Sequence, residues 1–518
     1  GRPFGDGTPP GPVRDGELVP AALRVRAVST AALGDKAKSD AALSLLRQKQ
    51  PAGEELDRTL YELGQLTFGR GEFVVSEPLF KELAGRPKEN RFRGPGLLER
   101  GWSLHKLQKY PEAAQSFAQF ATEYPKDPLA AEAACMQATA VQDAGQIAQA
   151  IPLFQAVFDK YGDSEQAYVA GLQIARLQSR QKKLTEADGA YKALTDRFPK
   201  RPELDRVLDE WATVHYDATN FKRADEIFRE LVTRFPNSDL ADNAQLVLAE
   251  SQLVNGQLEP ARVAFEALVK SPKSDATVKE RSLYQLVLIE LERKDWAKVQ
   301  QAAAALIAEY PKGSYRQDAE FHTGEALYEQ GKYEAALAQF DALRNQLAMN
   351  GVKETEWFPT MWVLAAESAF RLKKYPAVDQ WAAESRKQMP PHKLQYQVDE
   401  IQARSLKARA EFAKCRELFQ KVIDDPNGRL TETAARAQFE LAESYLFEKN
   451  YNSALKAYLK VEIRYKFPKW QGLATYQVGQ CHEALGEWSE AGRTYQSLLQ
   501  NYAEHEMAGK AKERLGVV

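Results

Sequence analysis

The chain has 518 residues, 44% hydrophobic and 27% charged, which at roughly 150 residues per globular domain is about three domains' worth of foldable polymer. Seventy Lys plus Arg against seventy-two Asp plus Glu leave a net charge of −2, which removes the electrostatic case for nucleic-acid binding or a basic membrane-surface protein. Three cysteines, Cys135, Cys415 and Cys481, lie far apart without CxxC or Cys/His spacing, so no disulfide framework, metal site or cofactor is expected.

The first twenty residues hold five Gly and five Pro, a composition that cannot close a core. Residues 1–17 are predicted to be a disordered linker, and the chain opens on Gly1 as expected where an upstream piece has been removed. No run approaches about 18 consecutive apolar residues, so no membrane span is expected.

Beyond the linker a repeat emerges. The pattern "aromatic or aliphatic, two residues, small residue" gives Tyr110/Ala113, Ile147/Ala150, Leu184/Ala187, Phe221/Ala224 and Leu258/Ala261, each pair 37 residues after the last. It continues through Trp296, Tyr333, Tyr375, Phe412, Tyr451 and Trp488, and backward to Phe73, with insertions between 333 and 375 and between 412 and 451. Twelve residues before each small position sits a second one, from Gly64 and Gly101 to Ala442 and Gly479; only Val287 breaks the rule. Proline recurs after the second position, at Pro125, Pro199, Pro236, Pro311 and Pro390, where it ends a helix. Two antiparallel helices need small side chains where their axes come closest, so each unit is predicted to be a helical hairpin touching through small residues on both helices. Residues 18–52 fit as a degenerate first unit, 53–502 as twelve repeats, and 503–518 as a polar capping helix.

The small, aromatic and proline positions resemble those of the tetratricopeptide repeat. That resemblance implies an all-α, right-handed superhelical solenoid of 12 to 13 hairpins with a C-terminal cap, used as a protein-protein interaction scaffold. The joints FPNSDLADNA (235–244) and YPKDPLAAEAA (124–134), with the run from Tyr310 to Phe340, are similar to repeats of bacterial cell-envelope proteins such as the Tol–Pal-associated division coordinator and the outer-membrane assembly lipoprotein. The chain departs from these in its larger number of repeats and in Ala503, where proline is usual. The resemblance implies a periplasmic or envelope-associated protein, with a cytoplasmic one as the alternative.

The resemblance also implies that the first helix of each hairpin lines the concave face. The inward positions are then acid-rich with interspersed aromatics: Asp209, Glu210, Glu250, Tyr284, Phe321, Glu325, Tyr328, Glu367, Phe439, Glu440 and Glu443. One reading is a groove for a basic or amphipathic segment of another protein, with aromatics as anchors and carboxylates for steering. The other is that carboxylates solvate helix faces while rings fill gaps between hairpins. The insertion at 345–362 carries Trp357, Phe358 and Trp362, either as a docking loop or folded back over the hairpin; 424–432 reads as an extended polar turn.

No nucleotide-binding, metalloprotease or hydrolase motif is present, and the six histidines fall in different repeats, so no catalytic residue is expected. A co-chaperone clamp would need inward Lys, Arg and Asn on consecutive helices, yet the helix after Arg176 and Arg180 offers Asp209, Glu210 and Asp217. The expected role is a non-enzymatic scaffold in a larger bacterial complex, with an accessory or regulatory subunit of an envelope enzyme or of a secretion or assembly machine, and a cytosolic co-chaperone-type adaptor, as the alternatives.

Overall fold

In the computed structural model, residues 15–350, 356–388 and 392–518 are described, and they form 27 helices with no strand among them. The chain divides into two compact units, ending at Ala244 and beginning at Gln245. The first unit holds six hairpins. They are α1 (Asp15–Ala32) with α2 (Lys36–Lys49), α3 (Glu54–Gly69) with α4 (Phe73–Ala84), and α5 (Arg93–Lys106) with α6 (Tyr110–Glu123). Then come α7 (Ala130–Asp143) with α8 (Ile147–Lys160), α9 (Glu165–Arg180) with α10 (Leu184–Arg197), and α11 (Leu204–Asp217) with α12 (Phe221–Arg234).

The boundary lies within α13 (Ala241–Val254), which pairs with α14 (Leu258–Lys270). The second unit continues through α15 (Ala276–Glu292) and α16 (Trp296–Glu309), α17 (Arg316–Glu329) and α18 (Tyr333–Asn350), then α19 (Phe358–Arg371) and α20 (Tyr375–Ser385). It ends with α21 (Gln395–Ala408) and α22 (Phe412–Asp424), α23 (Glu432–Phe447) and α24 (Tyr451–Arg464), α25 (Pro468–Ala484) and α26 (Trp488–Asn501), and a last short helix, α27 (Ala508–Leu515). Every aromatic or aliphatic residue that marked the repeat in the sequence is the first residue of a second helix. The N-terminal boundary moves: α1 starts at Asp15, so 15–17 belong to the first hairpin, and the rest of the expected linker lies outside the described residues.

One residue per hairpin takes a positive φ and ends the first helix: Gly34, Gly71, Gln108, Gly145, Lys182 and Thr219 in the first unit, and Gly256, Lys294, Gly331, Lys373, Ala410, Lys449 and Gly486 in the second. In each turn the next N–H reaches back five residues to a first-helix carbonyl, as Asp35 does to Thr30 at 2.8 Å and Glu487 to His482 at 2.8 Å. These are the paired backbone bonds of a Schellman ending, which satisfy carbonyls that the helix would leave open.

The small residues act differently from expectation. A Cβ on Gly64, Gly101 or Gly324 would lie 2.6, 2.7 or 2.5 Å from a ring atom of Phe80, Phe117 or Phe340, and one on Gly479 would strike Tyr495. Each ring sits four residues after the small position of the second helix and is fully buried. The glycines therefore make room for a ring, rather than for the backbone of the opposing helix. Val287 confirms the trade: its hairpin has Ala303 at the ring position, both fully buried in one cluster, so volume has moved from one helix to the other.

Two outcomes follow for stability. Gly324→Val should lower stability by about 1–3 kcal/mol through overpacking, and adding Phe340→Ala should recover part of the loss by copying the Val287/Ala303 pair; a double-mutant cycle in urea measures the coupling. Thr219, β-branched at a φ of 60°, carries a left-handed cost of about 1–2 kcal/mol that exceeds the roughly 0.5–1 kcal/mol a glycine loses in chain entropy. Thr219→Gly should therefore raise the unfolding midpoint.

Candidate partner-binding face

The inward stripe of first helices is where the sequence places a ligand, and the structure fills it with ion pairs. In the first unit, Arg176 on α9 donates to both oxygens of Glu210 on α11 at 2.8–3.1 Å, and the Tyr191 hydroxyl donates to the same carboxylate at 2.9 Å. Asp209 beside it is half-buried, and burial together with Asp205 and Glu210 pushes its carboxyl up.

In the second unit the pairing runs from helix to helix. Arg281 of α15 grips Glu250 of α13 at 2.6 and 2.8 Å, with Gln285 adding a bond at 2.9 Å. His322 meets Glu325 at 2.9 Å on α17. Glu367 accepts from Arg371 at 2.8 Å and from Arg404 of α21. Arg404 also lies 3.0 Å from Glu400, whose fully buried carboxylate accepts two bonds from Arg436 of α23 at 2.7 and 2.8 Å. Lys407 holds Glu440 and Glu443 together. Six carboxylates in this stripe, Glu250, Glu325, Glu367, Glu400, Glu440 and Glu443, face five cations, Arg281, Arg371, Arg404, Lys407 and Arg436, so its charge is nearly cancelled.

Burial raises the cost of charging Glu367, but Arg404 and Arg371 outweigh it and hold its carboxyl below the ordinary value. Glu400 goes the other way, pushed up by its complete burial.

The aromatics offered as anchors are structural. Phe321 is 2% exposed and stacks on Trp357 with centroids 5.0 Å apart, and Phe439 is packed between Tyr458 and Trp470. Tyr284 stacks on Tyr315 at 4.4 Å, and burial pushes its hydroxyl up to about 12; Tyr328, edge-on to Tyr333, is raised to about 12 by burial and by Glu367. The docking-loop expectation for the 345–362 insertion is corrected. Trp357 is buried and donates its indole N–H to Asp318 at 3.0 Å, Trp362 is 3% exposed and packs edge-on against Trp381, and half-buried Phe358 bridges the two tryptophans. The ring position of this hairpin is Ala382, and Trp362 and Trp381 are buried in the same cluster with it. Residues 351–355 of that insertion lie outside the described residues. The second insertion is the expected polar turn: Asp425 accepts from the backbone of Asn427 and Gly428, and Thr431 caps α23.

Sequence reasoning missed Arg281, Lys407 and Arg436 as partners of the acids. The signal was there: opposite charges recur about one repeat apart, as in Glu367 with Arg404 and Glu400 with Arg436. Some large apolar groups do stay open at the ends of first helices, among them Val254 of α13 at 87% exposure. Phe447, at the end of α23, is 59% exposed, stacks on Phe412 at 6.1 Å, and lies under the Lys407 ammonium.

Removing the shared cation should be costly. Arg404→Met would leave buried Glu400 with Arg436 alone and Glu367 with Arg371 alone, at up to about 3–5 kcal/mol at neutral pH. In the wild type the depressed pKa of Glu367 contributes stability that is present above the ordinary value of 4.5 and lost as pH falls through the folded value. In the variant those carboxyls protonate readily, so the gap in urea midpoints between the two proteins should narrow as pH falls from 7 toward 4.5.

Three kinds of comparison bear on identity. Residues 103–201 match the family model of a tetratricopeptide repeat-like domain, and 210–276, 318–346 and 473–505 match tetratricopeptide repeat models. No curated protein matches the sequence. Solved structures overlap it loosely. The APC/C hetero-tetramer Cut9–Hcn1 matches at 10% identity over 96% of each chain with a TM-score of 0.35. Naa15/Naa10 bound to HypK-THB matches at 13% identity over 97% of this chain and 86% of that one, TM-score 0.40. The C-terminal part of a TPR repeat-containing protein from Cytophaga hutchinsonii matches at 15% identity over 50% of this chain and 98% of that one, TM-score 0.37. Four segments spread over both units thus match tetratricopeptide repeat models, and the hairpins between them have the same helix-turn-helix build.

Proposed function

We propose that the protein is a non-enzymatic scaffold that holds segments of partner proteins against the first-helix faces of its repeats, within a multiprotein complex of a bacterial cell envelope. The observation that carries this reading is the tandem array itself, in which each hairpin buries its sides against neighbours and presents its first helix in register with the next. Its reactive groups are held back: burial raises the Cys135 and Cys481 thiols to about 11, well above the range in which thiolates attack. No described helix is long and apolar enough to cross a membrane.

The pairing of the inner acids favours one class of partner. A purely basic segment would have to compete with Arg281, Arg404, Lys407 and Arg436 for carboxylates already bonded. An amphipathic segment would instead bury an apolar side chain on Phe447 and Phe412, whose stacked rings are open to it. The envelope setting rests on the resemblance of the aromatic-Pro joints at 124–134, 235–244 and 310–340 to those of envelope repeats. If the protein is an accessory subunit, the partner carries the activity and co-purifies with it.

The test is capture of partners by the immobilised full chain from envelope and cytoplasmic fractions of its own cells, in parallel with Phe447→Ala and Asp209→Lys. A specific envelope partner should lose about tenfold in affinity with Phe447→Ala. Equal retention by every variant would remove this face as the binding surface, and a partner found in the cytoplasmic fraction alone would remove the envelope assignment.

A further inference from the structure

The two ends of the array are finished differently. At the C-terminal end α27 lies over α26, with Ala511 buried, and Lys510, Lys512 and Glu513 turned outward, while Arg514 pairs with Glu483. At the N-terminal end, the corresponding outer side of α1 presents Val19 at 38% and Val25 at 55% exposure, with Ala22, Arg26 and Ser29 also exposed.

The repeat register says what that side is built for. One, two, three, four and five periods after Ala22 stand Thr59, Gly96, Ala133, Ala170 and Val207, all buried. A Cβ on Gly96 would lie 2.6 Å from the Cβ of Leu83, so this position rests directly on the preceding second helix, α4. After Val19 come Leu56, Arg93, Ala130, Ala167 and Leu204, of which the four apolar ones are at most 1% exposed. After Arg26 come Leu63, Arg100, Gln137, Ile174 and Trp211. Two of these reach a carboxylate on the preceding second helix: Arg100 donates to Glu77 of α4 at 2.9 Å, and Trp211 to Asp188 of α10 at 3.0 Å. Glu77 and Asp188 hold the same place in their helices, immediately after the small residue and before a ring and a leucine: Ser76-Glu77 with Phe80 and Leu83, Ala187-Asp188 with Tyr191 and Leu194. No partner for the Arg26 guanidinium is found among the described residues, and two periods on, at Arg100, the same side chain has one.

We propose that the outer side of α1 docks an amphipathic helix of a partner protein that follows the second-helix pattern small, acid, two residues, aromatic, two residues, Leu, with its carboxylate on Arg26 and its apolar stripe over Val19, Ala22 and Val25. At Val19, Ala22 and Arg26 the face is continuous in register with the stacking interface inside the array, Val25 borders it at the register of half-buried Glu62, Glu99 and Glu210, and the charge the face offers is complementary to the one that interface uses. A head-to-tail second copy is disfavoured because the far end is covered by the polar side of α27. Residues 1–14 are a poor candidate for such a helix, since Gly and Pro supply eight of them. The proposal rests on the scaffold reading only in requiring a protein partner, and it concerns a different surface from Phe447.

A dye-labelled peptide with the sequence of residues 72–86, which contains α4, serves as the probe, titrated with the full chain and followed by fluorescence anisotropy. Saturable binding is expected, weakened at least about tenfold by Arg26→Glu in the chain and recovered when the peptide carries Glu77→Arg. Ala22→Arg, an independent steric block at an exposed position, should abolish binding with helical content unchanged by circular dichroism. Absence of saturable binding overturns the proposal, as does binding unaffected by both chain variants. Self-association of the chain without peptide, lost in Arg26→Glu, would assign the face to a second copy and overturn the partner assignment. Phe447→Ala should leave the titration unchanged, so failure of the first-helix-face reading and failure of this one register separately.

Discussion

A buried ring on the second helix facing a small residue on the first is the contact around which most of these hairpins close. Phe80, Phe117, Phe340 and Tyr495 leave no room for a Cβ beneath them, and where the lower residue grows to Val287 the upper one shrinks to Ala303. A solenoid has no central core, so every hairpin must close its own interior and then seal against its neighbours. Conserving volume across the two helices is the local form of that requirement. The Schellman turn fixes the geometry in which it can be met, because in the thirteen described hairpins it reverses the chain just before the start of the second helix.

Ionic contacts form the second layer of the assembly. Glu400, fully buried between Arg404 and Arg436, is not a surface decoration, since a carboxylate without water is tolerable only with such partners. The same is true in weaker form of Glu250 and Glu367, each held by an arginine from the next first helix. These pairs hold consecutive first helices at a set spacing, which makes the acid-rich stripe part of the scaffold rather than a field directed at solvent. Exposed apolar side chains remain on first helices, at Val254 and Phe447 and along the outer side of α1.

The sequence by itself determined the repeat count, the start of every second helix from Phe73 to Trp488, the place of the small residues, and the closing helix, because these depend on contacts within a hairpin or between adjacent ones, whose spacing is the period itself. The tertiary structure decided what the small residues accommodate, that Trp357 packs on Phe321 while Trp362 packs on Trp381, and that the inner acids are already paired. A period tells which residues share a face but not the tilt between neighbouring helices, and whether Arg404 reaches Glu367 or water is settled by a few ångströms of that tilt.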